Sequence, residues 1–166
     1  MDEPMKTTLC YIVRDGRWLL MLRDKKENDA SEGKWIGPGG KVEPGETPDE
    51  CMLREVREET GFELTEWQRR GVIQFKSDRW PDEEMHIYTA TGFKAPSGTP
   101  KDDQGAPLPE CNEGTFAWIP DEQLLDLPLW EGDKIFLRAL QEGKPDISME
   151  LTYQSDELVS VKRAES

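Results

Sequence analysis

Early in the chain, two apolar runs are separated by a short polar break. The runs TTLCYIV and WLLML flank the polar residues RDGR, in which Asp15 and Gly16 are adjacent. An aspartate–glycine pair between two such runs is typical of a β-hairpin. The pattern therefore predicts two antiparallel strands within residues 7–22. The polar, glycine-rich segment over residues 23–41 then predicts a loop with little regular structure.

Helical periodicity follows this segment. The apolar positions spaced three and four residues apart are Met52, Leu53, Val56 and Thr60. Thr47 and Glu50 have the spacing of a capping box. Pro48 suits the first helical position, and Gly61 suits the residue that ends a helix. The sequence therefore predicts a helix between residues 47 and 61 whose apolar face packs on a sheet.

The rest of the chain mixes the two periodicities. Strands are predicted within residues 71–77, 84–94 and 115–119, a surface loop over 94–110, a short helix from 120, a longer helix within 129–143, and a hairpin over 147–163. The last hairpin is expected to turn at Ser155 and Asp156. The order predicts one mixed α+β domain without an internal repeat.

Composition and charge narrow the class of protein. The chain has 166 residues, a length that fits one domain over residues 1–166. Its formal net charge is −14, and so acidic a surface repels the phosphate backbone of DNA or RNA. We therefore expect no nucleic-acid polymer as partner. A small anionic ligand remains compatible with this charge if bound cations invert the local potential.

The cysteines and the N-terminal residues bear on location. Cys10, Cys51 and Cys111 form no CxxC pair, which predicts reduced thiols in a cytoplasmic protein. The N-terminal MDEPMKTTLC has no basic region followed by a long apolar run, so we expect no signal peptide. No segment is apolar for long enough to span a bilayer, so we expect no membrane partner.

The predicted helix concentrates acid on one side. Glu58 and Glu59 lie three and four residues after Glu55, so the three side chains share one stripe, where like charges repel. Carboxylates grouped beside the flexible Gly39 and Gly40 are the oxygen ligands that Mg²⁺ or Mn²⁺ prefers. The alternative is a solvated charged face, although few cations are interleaved with these acids.

The spacing around these acids resembles a known family. Gly40, five further residues, Glu46, seven further residues and then REVREETGF, residues 54–62, are similar to the Nudix box at each defined position. The resemblance extends from about Thr7 to about Val161 and implies a single Nudix hydrolase domain. It implies an α/β/α sandwich around a mixed β-sheet, and cleavage of a nucleoside diphosphate linked to another group.

The same resemblance implies roles for the acidic residues. The implied metal ligands are Gly39 through its carbonyl, Glu55, Glu58, Glu59 and, from a later loop, Glu113. Glu46 and Arg54 match positions that orient this cluster, and Glu55 or Glu59 matches the general base. The implied cofactor is Mg²⁺, with Mn²⁺ as a substitute. For Glu113, the alternative is a solvent-exposed loop acid.

Outside the box, the chain resembles the MutT-like branch of the family, which removes oxidised purine triphosphates, chiefly 8-oxo-dGTP. The positions that match substrate-binding residues are Thr8, Arg23, Ile36, Phe75, Trp130 and Asp133. Trp130 matches an aromatic that stacks on the purine, and Asp133 an acid that bonds the base edge. The chain departs from human-type members at Ile36, where they carry asparagine, and at Gly132, where they carry a second acid. Core packing is the alternative for the apolar positions, and a surface arginine for Arg23.

Together these features predict a Mg²⁺-dependent pyrophosphohydrolase that converts an oxidised purine nucleoside triphosphate to the monophosphate and pyrophosphate. Such an enzyme would clean the nucleotide pool and so assist DNA repair. One alternative is the same chemistry on a dinucleotide, a nucleotide sugar or an unmodified dNTP. Another is a non-catalytic nucleotide-binding domain that regulates a partner. In each case the ligand is a small nucleotide, and the sequence leaves the oligomeric state open.

Overall fold

The computed structural model describes residues 4–25 and 31–163, which form one mixed sheet flanked by two α-helices. The strands are β1 (Met5–Arg14), β2 (Arg17–Leu22), β3 (Trp35–Ile36), β4 (Gly39–Lys41), β5 (Glu63–Ser77), β6 (Glu83–Lys94), β7 (Thr115–Pro120), β8 (Met149–Gln154) and β9 (Glu157–Arg163). The helices are α1 (Pro48–Thr60) and α2 (Glu131–Gln141), with a 3₁₀ segment at Asp121–Asp126. This content confirms the predicted α+β class.

Both predicted hairpins are present. β1 and β2 are antiparallel, with Arg14 opposite Arg17. Asp15 and Gly16 between them adopt left-handed conformations, with φ of 54° and 73°. Two consecutive residues with positive φ give a turn whose twist matches that of the strands. Ser155 also has φ of 54°, at the turn that joins β8 to β9.

Two features of the sheet differ from the sequence prediction. The glycine-rich segment contains β3, which pairs with β2, and β4, which pairs with β1. β5 begins at Glu63, well before residue 71, because its polar first half pairs with β6 although it is largely exposed. Neither β3 and β4 nor the first half of β5 has an apolar periodicity in the sequence. These strands form because a neighbouring strand pairs with them, which the local sequence does not indicate. Residues 26–30 of the predicted loop lie outside the described residues.

The sheet separates two apolar cores. Its main strand order is β3-β2-β1-β6-β5-β8-β9, and the β1–β6 and β5–β8 pairs are parallel. One core contains Cys10 and Ile12 of β1 together with Met52 and Val56 of α1. The opposite core contains Tyr11 of β1 and the buried face of α2. A helix on each face of a mixed sheet confirms the predicted α/β/α sandwich. No helix within the described ranges is long and apolar enough to cross a membrane.

The caps that the sequence predicts at the two ends of α1 are both formed. The Glu50 amide donates to the Thr47 hydroxyl over 3.1 Å, and the Thr47 amide donates to the Glu50 carboxylate over 3.0 Å. Gly61 ends the helix with φ of 77°, and its amide donates to the Arg57 carbonyl. These bonds fix the first and last turns of α1, and with them the position of the acidic stripe.

We expect Thr47→Ala to lower the free energy of unfolding by about 1 kcal/mol, because it removes the hydroxyl that caps α1. Thr47→Ser keeps a capping oxygen and is the matched control. Urea denaturation followed by circular dichroism measures the difference. Equal stability of the alanine and serine variants would contradict the capping role.

Candidate active site

A single arginine holds the acidic residues around α1 in place. Arg54 Nε and Nη2 donate to the two oxygens of Glu46, over 2.7 and 2.9 Å. Nη1 donates to Glu55 over 2.7 Å and to Glu58 over 3.2 Å. A guanidinium has five donors in one plane, so it can pair with several carboxylates at once. The structure therefore brings Arg54 into direct contact with the acidic stripe, and it links Glu46 to the stripe through Arg54.

The glycine-rich turn lies against the same carboxylates. The Gly39 amide donates to Glu59 over 3.0 Å. A Cβ at Gly40 would lie 2.5 Å from the Glu55 carboxyl carbon, and a Cβ at Gly39 would lie 1.9 Å from the Thr8 carbonyl oxygen. A side chain at either position would therefore displace the acids or β1, which is why both residues are glycine.

The loop that precedes β7 supplies the opposite wall. A cavity of about 510 Å³ lies between the acidic stripe of α1 and residues 110–115. Glu113 lies in this wall, and its carboxylate accepts a hydrogen bond from Arg23 Nη1 over 3.1 Å. Glu110 lines the same cavity, although no motif marks it in the sequence. The fold thus brings Glu113 to the acidic stripe, across about fifty residues of chain.

Crowding changes the proton affinity of these acids. Burial raises the pKa of Glu59 to about 8, and the charges of Glu55 and Glu113 add to this effect. Burial also raises the pKa of Glu55, although Arg54 opposes it. Hydrogen bonds from Arg54 lower the pKa of Glu46 to about 2. Negative charge concentrated in this way favours a bound cation.

The donor set fits a hard divalent cation. Carboxylate oxygens from α1 and from Glu113 line one cavity, and such oxygens are the ligands that Mg²⁺ and Mn²⁺ prefer. Over residues 4–25 and 31–163, no three acidic, histidine or cysteine side chains converge on one point. Arg54 and the Gly39 amide are instead the positive partners of these carboxylates.

A second cavity, of about 380 Å³, lies between β1, β5, β6 and the start of α2. It contains all six positions that the resemblance assigns to the substrate, namely Thr8, Arg23, Ile36, Phe75, Trp130 and Asp133. The Phe75 and Trp130 rings meet edge to face, with centroids 5.6 Å apart. Arg23 lines this cavity and also contacts Glu113, so it lies between the two cavities.

Two of these six residues have contacts that the resemblance does not imply. The Trp130 side chain is largely buried, and Lys34 Nζ lies 4.7 Å from its ring centroid. A base can stack on that face of the indole only when the ammonium group moves. The Thr8 hydroxyl lies 3.4 Å from the Gly40 carbonyl and 3.5 Å from the Cys51 sulfur. It therefore supports the glycine-rich turn.

Asp133 is the most unusual group in the second cavity. It lies in the first turn of α2, and only 7% of its surface is exposed. Burial raises its pKa to about 8, with the charge of Glu83 adding to the effect and that of Lys34 opposing it. The carboxyl is therefore mostly protonated at neutral pH, and it can donate a hydrogen bond as well as accept one.

Several cavity residues have no sequence signal of their own. They are Trp80, Glu83 and Met85 in the wall, and Lys34 over the indole. Glu83 and Met85 alternate along β6, so the period of a strand places them on one face. The sequence around Glu83 and Met85 does not indicate that this face of β6 meets the start of α2, because that contact depends on the strand order of the sheet.

Comparison with known proteins finds relatives that match most of the chain. A NUDIX domain family model matches residues 3–140. The uncharacterized Nudix hydrolase YvcI of Bacillus subtilis is 30% identical over 98% of this chain and 96% of its own length. The CTP pyrophosphohydrolase of Escherichia coli is 46% identical over 81% of this chain and 90% of its own length. The oxidized purine nucleoside triphosphate hydrolase of Danio rerio is 28% identical, over 82% and 80% respectively.

The fold has a close counterpart among solved structures. The crystal structure of a MutT protein from Bacillus halodurans superposes with a TM-score of 0.78 at 24% identity. The superposition covers 96% of this chain and 97% of that one. At this identity the likeness concerns the fold alone.

We expect Asp133→Asn to raise the free energy of unfolding at neutral pH. The native pKa of about 8 lies above the ordinary 3.8, so between these values the native state keeps a proton that the unfolded state loses. Wild-type stability therefore falls as pH rises through this window, whereas asparagine does not titrate. The free energy of unfolding of Asp133→Asn should equal that of the wild type below about pH 4 and exceed it by a few kcal/mol near pH 8.

Urea unfolding at a series of pH values measures this difference. Asp103→Asn, on an exposed loop, is the control and should show no comparable gain. A difference between Asp133→Asn and wild type that stays constant with pH would refute the burial of a neutral carboxyl.

Proposed function

This chain belongs to the Nudix hydrolase family, and from that premise we propose that it hydrolyses nucleoside triphosphates, preferring oxidised purines such as 8-oxo-dGTP, to the monophosphate and pyrophosphate. The observation that carries the proposal is the adjacency of two cavities, one acidic and one lined with aromatic rings, with Arg23 between them. A nucleotide has the complementary layout, with phosphates at one end and a base at the other. The oxidized purine hydrolase among the relatives supports the purine preference.

The acidic cavity would hold the metal and the phosphates. The proposed ligands are Gly39, Glu55, Glu58, Glu59 and Glu113. A divalent cation, Mg²⁺ or Mn²⁺, supplies charge neutralisation and a water of lowered pKa when it is bound. Arg54 and Glu46 keep the carboxylates oriented, and Arg23 would face the phosphate charge. Glu55 or Glu59 is the proposed general base, because both carboxylates line the acidic cavity in which a metal-bound water would lie.

The aromatic cavity would hold the base. Trp130 and Phe75 provide flat apolar surface, and stacking on such rings is worth about 1–3 kcal/mol per base. Ile36 adds apolar contact but no hydrogen bond. Asp133 is the polar group that would read the base edge, because its neutral carboxyl both donates and accepts. Removal of damaged nucleotides from the cytoplasmic pool is the role that this activity would serve.

A second candidate is the same hydrolysis of a pyrimidine nucleoside triphosphate. The CTP pyrophosphohydrolase relative, at 46% identity, favours it. A non-catalytic nucleotide-binding role has less support, because every glutamate of the box is present and Arg54 holds two of them in place.

A substrate panel tests these alternatives. Pyrophosphate release is measured with Mg²⁺ and 8-oxo-dGTP, dGTP, dATP or CTP, and phosphate release after phosphatase treatment with ADP-ribose or diadenosine polyphosphates. We expect the highest kcat/KM for 8-oxo-dGTP. The highest value for CTP would establish the second candidate instead. No hydrolysis of any compound would rule out the enzymatic role.

We expect Glu58→Gln to lower kcat on the order of 100-fold or more, because it removes one charge from the metal site without changing side-chain shape. The Glu58 side chain is 59% exposed, so the free energy of unfolding should change little. Glu63→Gln, at the exposed start of β5, is the matched control. Full activity in Glu58→Gln would contradict the metal assignment.

We expect Gly40→Ala to lower kcat at least about tenfold while largely preserving stability. The new Cβ would meet the end of the Glu55 side chain, which can rotate away, and the backbone need not move. The displaced carboxylate would then leave its place in the cavity. Steady-state kinetics and thermal unfolding measure the two effects. An unchanged kcat would show that Glu55 does not need its observed position.

A further inference from the structure

The Asp133 carboxyl is a buried polar group in the aromatic cavity. Only 7% of the residue is exposed, and within residues 4–25 and 31–163 no group is hydrogen-bonded to its carboxyl oxygens. Buried polar atoms in folded proteins nearly always have a partner. The cavity is therefore a place where a ligand would supply the missing hydrogen bonds.

The residue beside Asp133 cannot provide a second acid. Gly132 is buried, and a Cβ there would lie 2.5 Å from Leu151 Cδ1 and 2.8 Å from the Tyr153 hydroxyl oxygen. Its amide also donates to that hydroxyl over 2.6 Å. The packing of α2 on β8 thus closes this position to any side chain. A second polar group for the base must come from another element.

Glu83 of β6 is placed to be that group. It lies directly opposite Phe75 in the antiparallel β5–β6 pair, so both side chains project from the same face of the sheet. The Phe75 ring contacts Trp130, which immediately precedes α2. Glu83 and Asp133 both line the cavity, one from the sheet below and one from the helix above. Glu84, the next residue on β6, has its carboxylate 2.9 Å from His86 Nε2 instead.

We propose that Glu83 is a specificity-determining residue, which with Asp133 selects a purine whose pairing edge carries a carbonyl oxygen followed by two N–H donors. This inference rests on the proposed function of the site. Guanine and 8-oxoguanine have this edge, with O6, N1–H and the exocyclic amino group in sequence. Asp133 donates its proton to O6, and the Glu83 carboxylate accepts from N1–H and the amino group.

A pyrimidine edge does not match this arrangement. Cytosine presents an amino donor followed by two acceptors, N3 and O2. A neutral Asp133 can bond the amino group and N3, but the Glu83 carboxylate would then face O2, and two acceptors repel. An unpaired acceptor in a buried site costs affinity, so the pair of acids discriminates against cytosine. The same two residues therefore distinguish the substrates named for the two relatives.

The electrostatics of the cavity favour a proton on Asp133. The titratable and charged groups around Asp133 are Glu83 from β6, Lys34 from the segment before β3, Tyr11 from β1 and Tyr153 from β8. The charge of Glu83 adds to the effect of burial in raising the Asp133 pKa to about 8. A protonated Asp133 can donate to O6, as the proposed hydrogen bonds require.

Glu83→Gln tests the proposal, because it keeps the shape of the side chain and removes the charge. We expect kcat/KM for 8-oxo-dGTP and dGTP to fall about 10- to 100-fold. That for CTP should rise, because the glutamine amide no longer repels O2 and can donate to it. Glu84→Gln, on the opposite face of β6, is the matched control and should leave the ratio unchanged. An equal change for all three nucleotides, or no change, would overturn the proposal.

A binding measurement without metal separates this proposal from the proposed function. Calorimetry is used to compare GMP and CMP binding to the wild type and to Glu83→Gln. The pair of acids predicts that GMP loses affinity about 10-fold or more in the variant while CMP does not. If turnover is absent but this difference is found, only the hydrolytic role fails. If turnover is present but the difference is absent, only the role of Glu83 fails. Should thermal unfolding show that Glu83→Gln does not fold, Glu83→Asp is judged by the same criteria.

Discussion

The architecture of the site depends on the pairing of one guanidinium with several carboxylates. Arg54 contacts acids at Glu46, Glu55 and Glu58, of which Glu46 lies before α1 and the other two in its second half. Without a cation among them, these like charges would separate and α1 would lose its fixed relation to the glycine-rich turn. The arginine keeps the acids together while leaving oxygen atoms on the cavity side. The proposed metal site is thereby held in shape by a cationic side chain of the protein itself.

The glycine-rich turn connects this charge cluster to the sheet. Gly39 and Gly40 allow β4 to approach β1 so closely that no Cβ fits between them and their neighbours. The Gly39 amide then reaches Glu59, which is otherwise buried among acids. The same two glycines line the second cavity. The turn therefore connects the carboxylates of the acidic cavity to the wall of the second cavity.

The proposed sites for the base and for the phosphates are separated along the sheet. Arg23 occupies the boundary, with one cavity on each side. The acidic side is built from α1 and the loop before β7, whereas the aromatic side is built mainly from β1, β5, β6 and the start of α2. The two sides can therefore vary independently, because they belong to different elements. This arrangement is consistent with a family whose members share one reaction and differ in the nucleotide that they accept.

The sequence by itself determined the local elements and the acidic cluster. The hairpin at Asp15, the caps of α1 and the shared stripe of glutamates follow from residue type and spacing, which act over a few residues. The tertiary structure alone decided which distant groups meet. β3 forms by pairing with β2, and β4 forms by pairing with β1. Glu83 lies in the same cavity as Asp133 because β6 lies between β1 and β5 in the sheet. Such contacts depend on strand order and layer packing, which no short stretch of sequence encodes.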